Sequence, residues 1–374
     1  MAGIPNKIET WQMVQPTTYK KDENGKFVLD SPGKLERTSI PVPDLGEDEA
    51  LVEVAGCGVC HTDLGYFYDG VPTVSKPPLT LGHEISGTVL AGPGGLEGKN
   101  VIIPAVMPCN KPDCPICSQG RGNRCLAQKM PGNSLGVYGG FSSHIPVPAG
   151  DLCVIDDLKF PLSHYAVVAD AGTTPYQAAM RSELKAGDLV AVIGVTGGVG
   201  VYMTQVAKAL GAKVVVGIAR NQAKLERALK YGADYIINSK DKEVKAVKGE
   251  FDALCKEAGV PKNIGWKIFE CTGTGGGQEI ALALVSFLSK LVLVGFGMQK
   301  NSYMLSKLMA FDAEFIGTWG CLPKYYKNVL EMVQDGRVQI EPFLETKPMS
   351  QIAQVFEQQH NGLFDKRQVL EPDF

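Results

Sequence analysis

The sequence predicts two domains of different texture, a β-rich unit and an α/β unit built on a parallel sheet. Three observations lead there. The chain has 374 residues, and at roughly 100–200 residues per domain that is about two domains, each able to bury its own core. From Leu51 to about Val147 short apolar runs are broken by glycine and proline (LVEVAGCGVC, ISGTVLAG, KNVIIPAVMP, FSSHIPVP), the pattern of an antiparallel, barrel-like unit. From about Ala166 to Leu308 strand-like and helix-like segments alternate, the signature of a parallel sheet with covering helices.

In order, the α/β stretch reads LVAVIGV (strand), VGVYMTQVAKALG (helix), KVVVGIA (strand), QAKLERALKYG (helix) and DYIIN (strand), with WKIFECTG and LVLVGFG as later strands. Boundaries fall at 1–165, 166–308 and 309–374. The last segment offers helices at PKYYKNVLEMVQDG and SQIAQVFEQQHNG around a strand-like VQIEPFLETK. The polar stretch Tyr19 to Asp30 reads as a surface excursion or hairpin. Composition is that of an ordinary folded protein, with 44% hydrophobic and 21% charged residues. Thirty-seven Lys+Arg against 40 Asp+Glu give a net charge of −3, which excludes a globally basic nucleic-acid binder. No apolar run approaches the ~18 residues of a membrane span. MAGIPNKIET lacks an apolar leader pattern, so the expectation is a cytoplasmic protein with no membrane partner. In a reducing compartment its 10 cysteines point to metal or catalysis before disulfides.

Three constellations carry chemistry. The first is Cys109-x4-Cys114-x2-Cys117-x7-Cys125 in a proline- and glycine-rich loop. Four thiolates so close in sequence suit one tetrahedral ion, and a closed all-sulfur site is structural; Zn²⁺ and an iron–sulfur cluster both fit the spacing. The second is Cys60-His61-Thr62-Asp63 followed by Gly82-His83-Glu84. Cys60 and His83 suit zinc if a third ligand joins them and the fourth position stays open; read alone they are equally a buried thiol and a hydrogen-bonded core imidazole. The third is LVAVIGVTGGVGVYMTQVAKALG, where Gly194, Gly197, Gly198 and Gly200 lie between a strand and a helix. Glycines there permit a tight turn and the approach of a pyrophosphate to a helix N-terminus.

GCGVCHTDL, PLTLGHEISGTV, the four-cysteine loop, GVTGGVG, and ECTG ahead of LVLVG come in the order found in zinc-dependent medium-chain alcohol dehydrogenases. The chain resembles that family from about Trp11 to Leu370. The resemblance implies a GroES-like catalytic domain formed by 1–165 and completed by 309–374, with a Rossmann domain at 166–308, two Zn²⁺ per chain, a nicotinamide cofactor and a homodimer or homotetramer. IPNKIETWQMVQP, CHTDLGYFYDGVPTV and KPPLTLGHEISGTV narrow the resemblance to members that oxidise a cyclic allylic alcohol carried on a CoA thioester in anaerobic aromatic degradation. Two other readings stay open: an alcohol dehydrogenase or enone reductase for small free cyclic substrates, and a non-enzymatic zinc-stabilised dinucleotide binder.

By position, the resemblance makes Cys60 and His83 catalytic zinc ligands, Glu84 an adjacent acid able to approach the metal, and Asp63 the partner that orients His83. Thr62 takes the substrate proton. Cys109, Cys114, Cys117 and Cys125 hold the structural zinc. Gly194, Gly197, Gly198 and Gly200 cradle the cofactor, Thr174, Val294, Gly295 and Phe296 meet its nicotinamide, and His61 and Arg367 its pyrophosphate. Three departures follow. Where relatives often present a third cysteine ligand, this chain has Asp170, which is the expected third ligand here, or else a helix cap. Gly65 replaces a relay histidine common in relatives. After KVVVGIA comes Arg220 in place of the acidic residue that binds a ribose diol; the resemblance implies NAD, while the arginine leans toward NADP. A CoA ester also needs a basic rim, for which Lys76, Arg121 and Lys129 are candidates.

Overall fold

The computed structural model describes residues 4–374, which form two compact units. The first takes the chain up to Asp170 together with Cys321–Leu330 and Ile340–Phe374. The second takes Ala171–Gly320 and Glu331–Gln339.

The first unit opens with strands β1 (Lys7–Gln15), β2 (Thr18–Lys21), β3 (Phe27–Ser31), β4 (Lys34–Pro41) and β5 (Glu49–Gly58). Helix α1 (His61–Phe67) follows, then β6 (Leu79–Thr80), β7 (Glu84–Ala91), β8 (Asn100–Ile103), β9 (His144–Pro148) and β10 (Cys153–Ile155). β2 and β3 pair as the expected hairpin. Strand β5 is central, antiparallel to both β7 and β9. Its β7 register sets Gly58 opposite Glu84, so Cys60, just past the end of β5, lies beside His83, just before β7. Two residues far apart in sequence meet because a strand pair closes over them. Ala50, Val52, Ile85, Val101, Ile103 and Phe141 are fully buried in one apolar cluster.

The second unit runs through α2 (Thr173–Arg181), β11 (Leu189–Ile193), α3 (Gly200–Ala209), β12 (Val214–Ala219), α4 (Gln222–Leu229), β13 (Tyr235–Asn238), α5 (Val244–Glu257), β14 (Trp266–Glu270), α6 (Gly275–Leu284), β15 (Lys290–Leu293), α7 (Ser306–Phe311) and β16 (Glu314–Gly317). Its six strands are all parallel, in the order β13-β12-β11-β14-β15-β16. All five residues of β11 are buried, as expected of a central strand covered on both faces. Sequence texture places the end of this unit at 308, but β16 adds a sixth strand to its sheet, so the unit continues to Gly320. Its start falls at Ala171 where the sequence suggests 166, because the turn at Leu162–Val168 packs on β5 and β7 of the first unit.

The return segment contains α8 (Tyr326–Gln334), β17 (Leu344–Pro348), α9 (Ile352–His360) and β18 (Arg367–Glu371). The strand expected over VQIEPFLETK is confined to its second half, because the segment around Pro342 forms a 3₁₀ turn, Glu341–Phe343. β18 pairs with β5 and extends the first unit's sheet.

Trp266 is fully buried, edge-on to Phe251 with ring centroids 4.6 Å apart. Trp266→Ala is predicted to destabilise the second unit by about 3–5 kcal/mol, measured by denaturant unfolding followed by circular dichroism.

Candidate active site

The chemistry of the first unit is organised by one carboxylate. Asp63 is fully buried in the first turn of α1. Its Oδ2 accepts a hydrogen bond from the Cys60 backbone N–H at 3.0 Å, and its Oδ1 accepts one from the Gly82 N–H at 3.0 Å. The same Oδ1 lies 3.4 Å from His83 Nδ1. One side chain therefore fixes the residue that presents the thiol and the segment that presents the imidazole. Gly82 has φ +93°, and a Cβ there would fall 2.6 Å from Cys57 Sγ, so only glycine lets the segment come this close.

On the other side of the imidazole, His83 Nε2 is 3.5 Å from Asp170 Oδ2, and Cys60 Sγ is 3.9 Å from the same oxygen. Donor atoms of Cys60, His83, Glu84 and Asp170 all lie within 4.8 Å of one another. Zinc bonds of about 2.0–2.3 Å put neighbouring ligands of a tetrahedron about 3.3–3.8 Å apart, close to the spacings seen here. His83 is 1% exposed, and neither ring nitrogen makes a hydrogen bond. A buried imidazole with unsatisfied nitrogens is costly; Nδ1 faces Asp63 Oδ1, and a cation among these donors would satisfy Nε2. The residues fit zinc.

Thr62 Oγ1 lies 3.7 Å from Cys60 Sγ, at the edge of the cluster. Glu84, the first residue of β7, is fully buried. Its Oε1 accepts from Arg367 Nη1 at 2.9 Å, and Arg367 Nη1 also donates to the Val59 carbonyl at 3.1 Å. Burial pushes the Glu84 carboxyl up to about 7 against the downward pull of Arg367. Arg367, expected at a pyrophosphate, is thus engaged by Glu84 inside the unit, whereas His61 is exposed at the start of α1. The Glu84–Arg367 pair was not foreseen; its signal was a buried-type strand, RQVLE, that opens on a cation.

The four cysteines of the loop also converge. Sγ–Sγ separations are 3.7 Å for Cys109–Cys117, 3.9 Å for Cys114–Cys125 and 3.5 Å for Cys109–Cys125. These are far beyond a disulfide of about 2.05 Å and close to the edges of a zinc–thiolate tetrahedron, about 3.8 Å for bonds of about 2.3 Å. Backbone N–H groups of Cys117 and Ile116 pull the Cys114 thiol down to about 6. Burial and the neighbouring sulfurs push Cys117 up to about 12.

In the second unit, Gly194 ends β11 with φ +84°, and a Cβ on Gly200 would fall 2.0 Å from the Gly194 carbonyl oxygen. The turn through Gly197 and Gly198 is folded onto itself at a spacing no side chain permits. No side chain caps α3; the Val201 and Tyr202 N–H groups donate instead to the Gly197 and Val199 carbonyls of the turn, each at 3.1 Å. Arg220, just past β12, lines a surface hollow of about 530 Å³ with Asn221, Gln222, Ala223, Asn238 and Lys240. Lys240 was missed, although it follows the strand that pairs with β12. Thr174 is buried in the first turn of α2. The N–H groups of Val294 and Gly295 donate to the Glu270 carbonyl, each at 2.9 Å, and Phe296 is exposed. The buried Glu270 carboxylate accepts from the Thr272 N–H at 2.7 Å and from the Gly273 N–H at 3.1 Å. Glu270 thus holds two loops, one through its carboxylate and the other through its backbone carbonyl, and nothing in the sequence pattern marks it.

A β-rich unit with two metal-suited clusters, and a parallel-sheet unit with a glycine turn ahead of a helix, define a zinc-binding dehydrogenase of the two-domain type. Residues 46–157 match the alcohol dehydrogenase GroES-like domain family, and residues 198–335 match the zinc-binding dehydrogenase family. An alcohol dehydrogenase of Geobacillus stearothermophilus is 31% identical over 346 residues, covering 90% of this chain and 95% of the relative. A D-arabinose 1-dehydrogenase (NADP(+)) of Saccharolobus solfataricus is 30% identical over 356 residues, covering 91% and 95%. Galactitol-1-phosphate dehydrogenase from Escherichia coli shares the fold, with a TM-score of 0.80 and 23% identity over 95% of this chain and 100% of that one. The chain belongs to the zinc-dependent medium-chain alcohol dehydrogenase family, NAD(P)-dependent oxidoreductases of the CH–OH group.

Two predictions follow from the geometry. Asp63→Asn, which weakens the hold on His83, is expected to lower zinc affinity at the Cys60 cluster about 10–100-fold, read by competition with a chromogenic chelator. Cys114→Ser is expected to remove one zinc equivalent per chain by elemental analysis and to lower the thermal midpoint, since a closed metal site contributes folding energy.

Proposed function

We propose that this enzyme transfers hydride between a nicotinamide cofactor and a cyclic allylic alcohol, oxidising 6-hydroxycyclohex-1-ene-1-carbonyl-CoA to the 6-oxo product in anaerobic benzoyl-CoA degradation. The observation that carries the chemistry is the convergence of Cys60, His83 and Asp170 with Thr62 at its edge. When bound, zinc at these residues supplies Lewis acidity at the alcohol oxygen, and NAD supplies the hydride acceptor. Asp63 holds His83 in one orientation. Thr62 Oγ1 takes the hydroxyl proton and passes its own to water, since Gly65 has nothing to titrate. One hydride and one proton leave the substrate, and a C=O replaces the CH–OH. Cys60 and Asp170 as anions with a neutral His83 balance a divalent ion, while Arg367 balances Glu84. The stretches CHTDLGYFYDGVPTV and KPPLTLGHEISGTV support the CoA-linked ring; Lys76, Arg121 and Lys129 are exposed and available to its phosphates. A cytoplasmic homodimer or homotetramer completes the reading.

NADP is a second reading with an observation of its own. Arg220 and Lys240 share one hollow, and none of the residues lining it is acidic. The ratio of kcat/KM for NAD to that for NADP decides between them.

The substrate is tested with the purified enzyme, NAD, and either the CoA thioester or cyclohex-2-en-1-ol. A strong preference for the thioester is expected. A preference for the free alcohol assigns small cyclic substrates instead, and absence of turnover with one zinc per chain in place of two assigns a binding protein. Thr62→Val is expected to lower kcat about 10²–10⁴-fold with zinc content unchanged.

A further inference from the structure

The phenol of Tyr66 takes no part in the metal cluster or the proton path described above. It lies on α1 one helical turn after Thr62, and residues four apart on a helix share a face with Cβ atoms about 5–6 Å apart. The residue is 5% exposed, and its phenol is close enough to His83, Asp63 and Cys60 to feel their charges.

Its hydrogen bonding is fixed by a neighbour. Asn133 Oδ1 accepts from the Val74 N–H at 2.8 Å, and a backbone N–H can only donate, so that end of the amide is the oxygen. Asn133 Nδ2 is then the donor to the Tyr66 hydroxyl oxygen at 2.6 Å. The Asn133 backbone carbonyl also accepts from the Ser75 N–H at 2.8 Å, so backbone and side chain of Asn133 are both tied to the 74–75 segment. Tyr66 therefore accepts from Asn133 and keeps its own hydrogen to give. Among the described residues the phenol makes no second hydrogen bond, and burial raises its pKa, which keeps the proton in place across the neutral range. A buried hydroxyl with an unspent proton, on the same helix face as the proton acceptor for the substrate, is poised for an acceptor that arrives with the substrate.

We propose that Tyr66 donates its phenolic hydrogen to the acyl carbonyl oxygen of the substrate and so selects cyclic alcohols that bear a carbonyl group on the carbon next to the carbinol carbon. This rests on the substrate class proposed above, in which ring alcohol and acyl group occupy adjacent carbons. Asn133 is the positioning residue.

The test compares methyl 6-hydroxycyclohex-1-ene-1-carboxylate with cyclohex-2-en-1-ol, which lacks the carbonyl, in wild type, Tyr66→Phe and Asn133→Asp. Tyr66→Phe is expected to lower kcat/KM for the ester about 10–100-fold and to leave cyclohexenol within about threefold. Asn133→Asp, whose carboxylate captures the phenolic hydrogen, is expected to give the same pattern with Tyr66 intact. The oxidised ester, titrated into the enzyme–NAD complex, which holds no hydride to give it, is expected to show a red-shifted enone absorption in wild type only. Equal loss on both substrates, unchanged discrimination in either variant, or the same spectrum in wild type and Tyr66→Phe overturns the assignment. If wild type oxidises neither compound, the substrate class itself fails. If it oxidises the ester but not the CoA thioester, only the CoA carrier fails and Tyr66 is still tested.

Discussion

The first unit depends on the hold that Asp63 keeps on two backbone segments. Without it, Cys60 at the end of β5 and His83 ahead of β7 are neighbours only through a strand register. With it, the Cys60 and Gly82 N–H groups share one buried carboxylate, and the imidazole is turned against the same oxygen. A buried anion of this kind is tolerated because donors surround it. Its second effect is electrostatic, since it favours His83 as a donor on the Nδ1 side and leaves Nε2 for a cation.

Much of this was legible in the residues. Glycine and proline spacing foretold the β-rich texture, and the run of strand, glycine turn and helix at 189–211 foretold the parallel sheet. The cysteine loop could be read as one site because its four ligands are local. Cys60, His83 and Asp170 were harder. Their meeting is made by the β5–β7 register and by a turn at the edge of the first unit, and no periodicity encodes either. Only the resemblance pointed to Asp170 as the third donor beside them. The interior pairings were invisible: Arg367 on Glu84, Asn133 on Tyr66, and Glu270 on the Thr272–Gly273 turn each join a side chain to a partner that folding alone selects. The domain limit near 308 was misplaced for a related reason. β16 is four residues long and half exposed, too short to announce itself as a sheet strand.

The second unit shows the same economy in backbone form. Where the first unit uses a buried carboxylate to set side chains, the second uses missing side chains to set loops. A Cβ on Gly295 would fall 2.1 Å from the Gly273 nitrogen, and one on Gly273 would fall 2.1 Å from the Phe296 carbonyl oxygen. The loops after β14 and β15 are thus interlocked at backbone distance, with Glu270 bonding to both.

The presence of Asp170 where relatives often have cysteine has a consequence for how such a site can change. Either residue brings one negative charge to the cluster, so exchanging one for the other leaves the electrical neutrality of the buried group and the adjacent Glu84–Arg367 pair undisturbed. What changes is the hardness of one donor atom, and with it the metal the site prefers. The metal preference of such a site can therefore change by replacement of a single residue, without first rebuilding the interior around it.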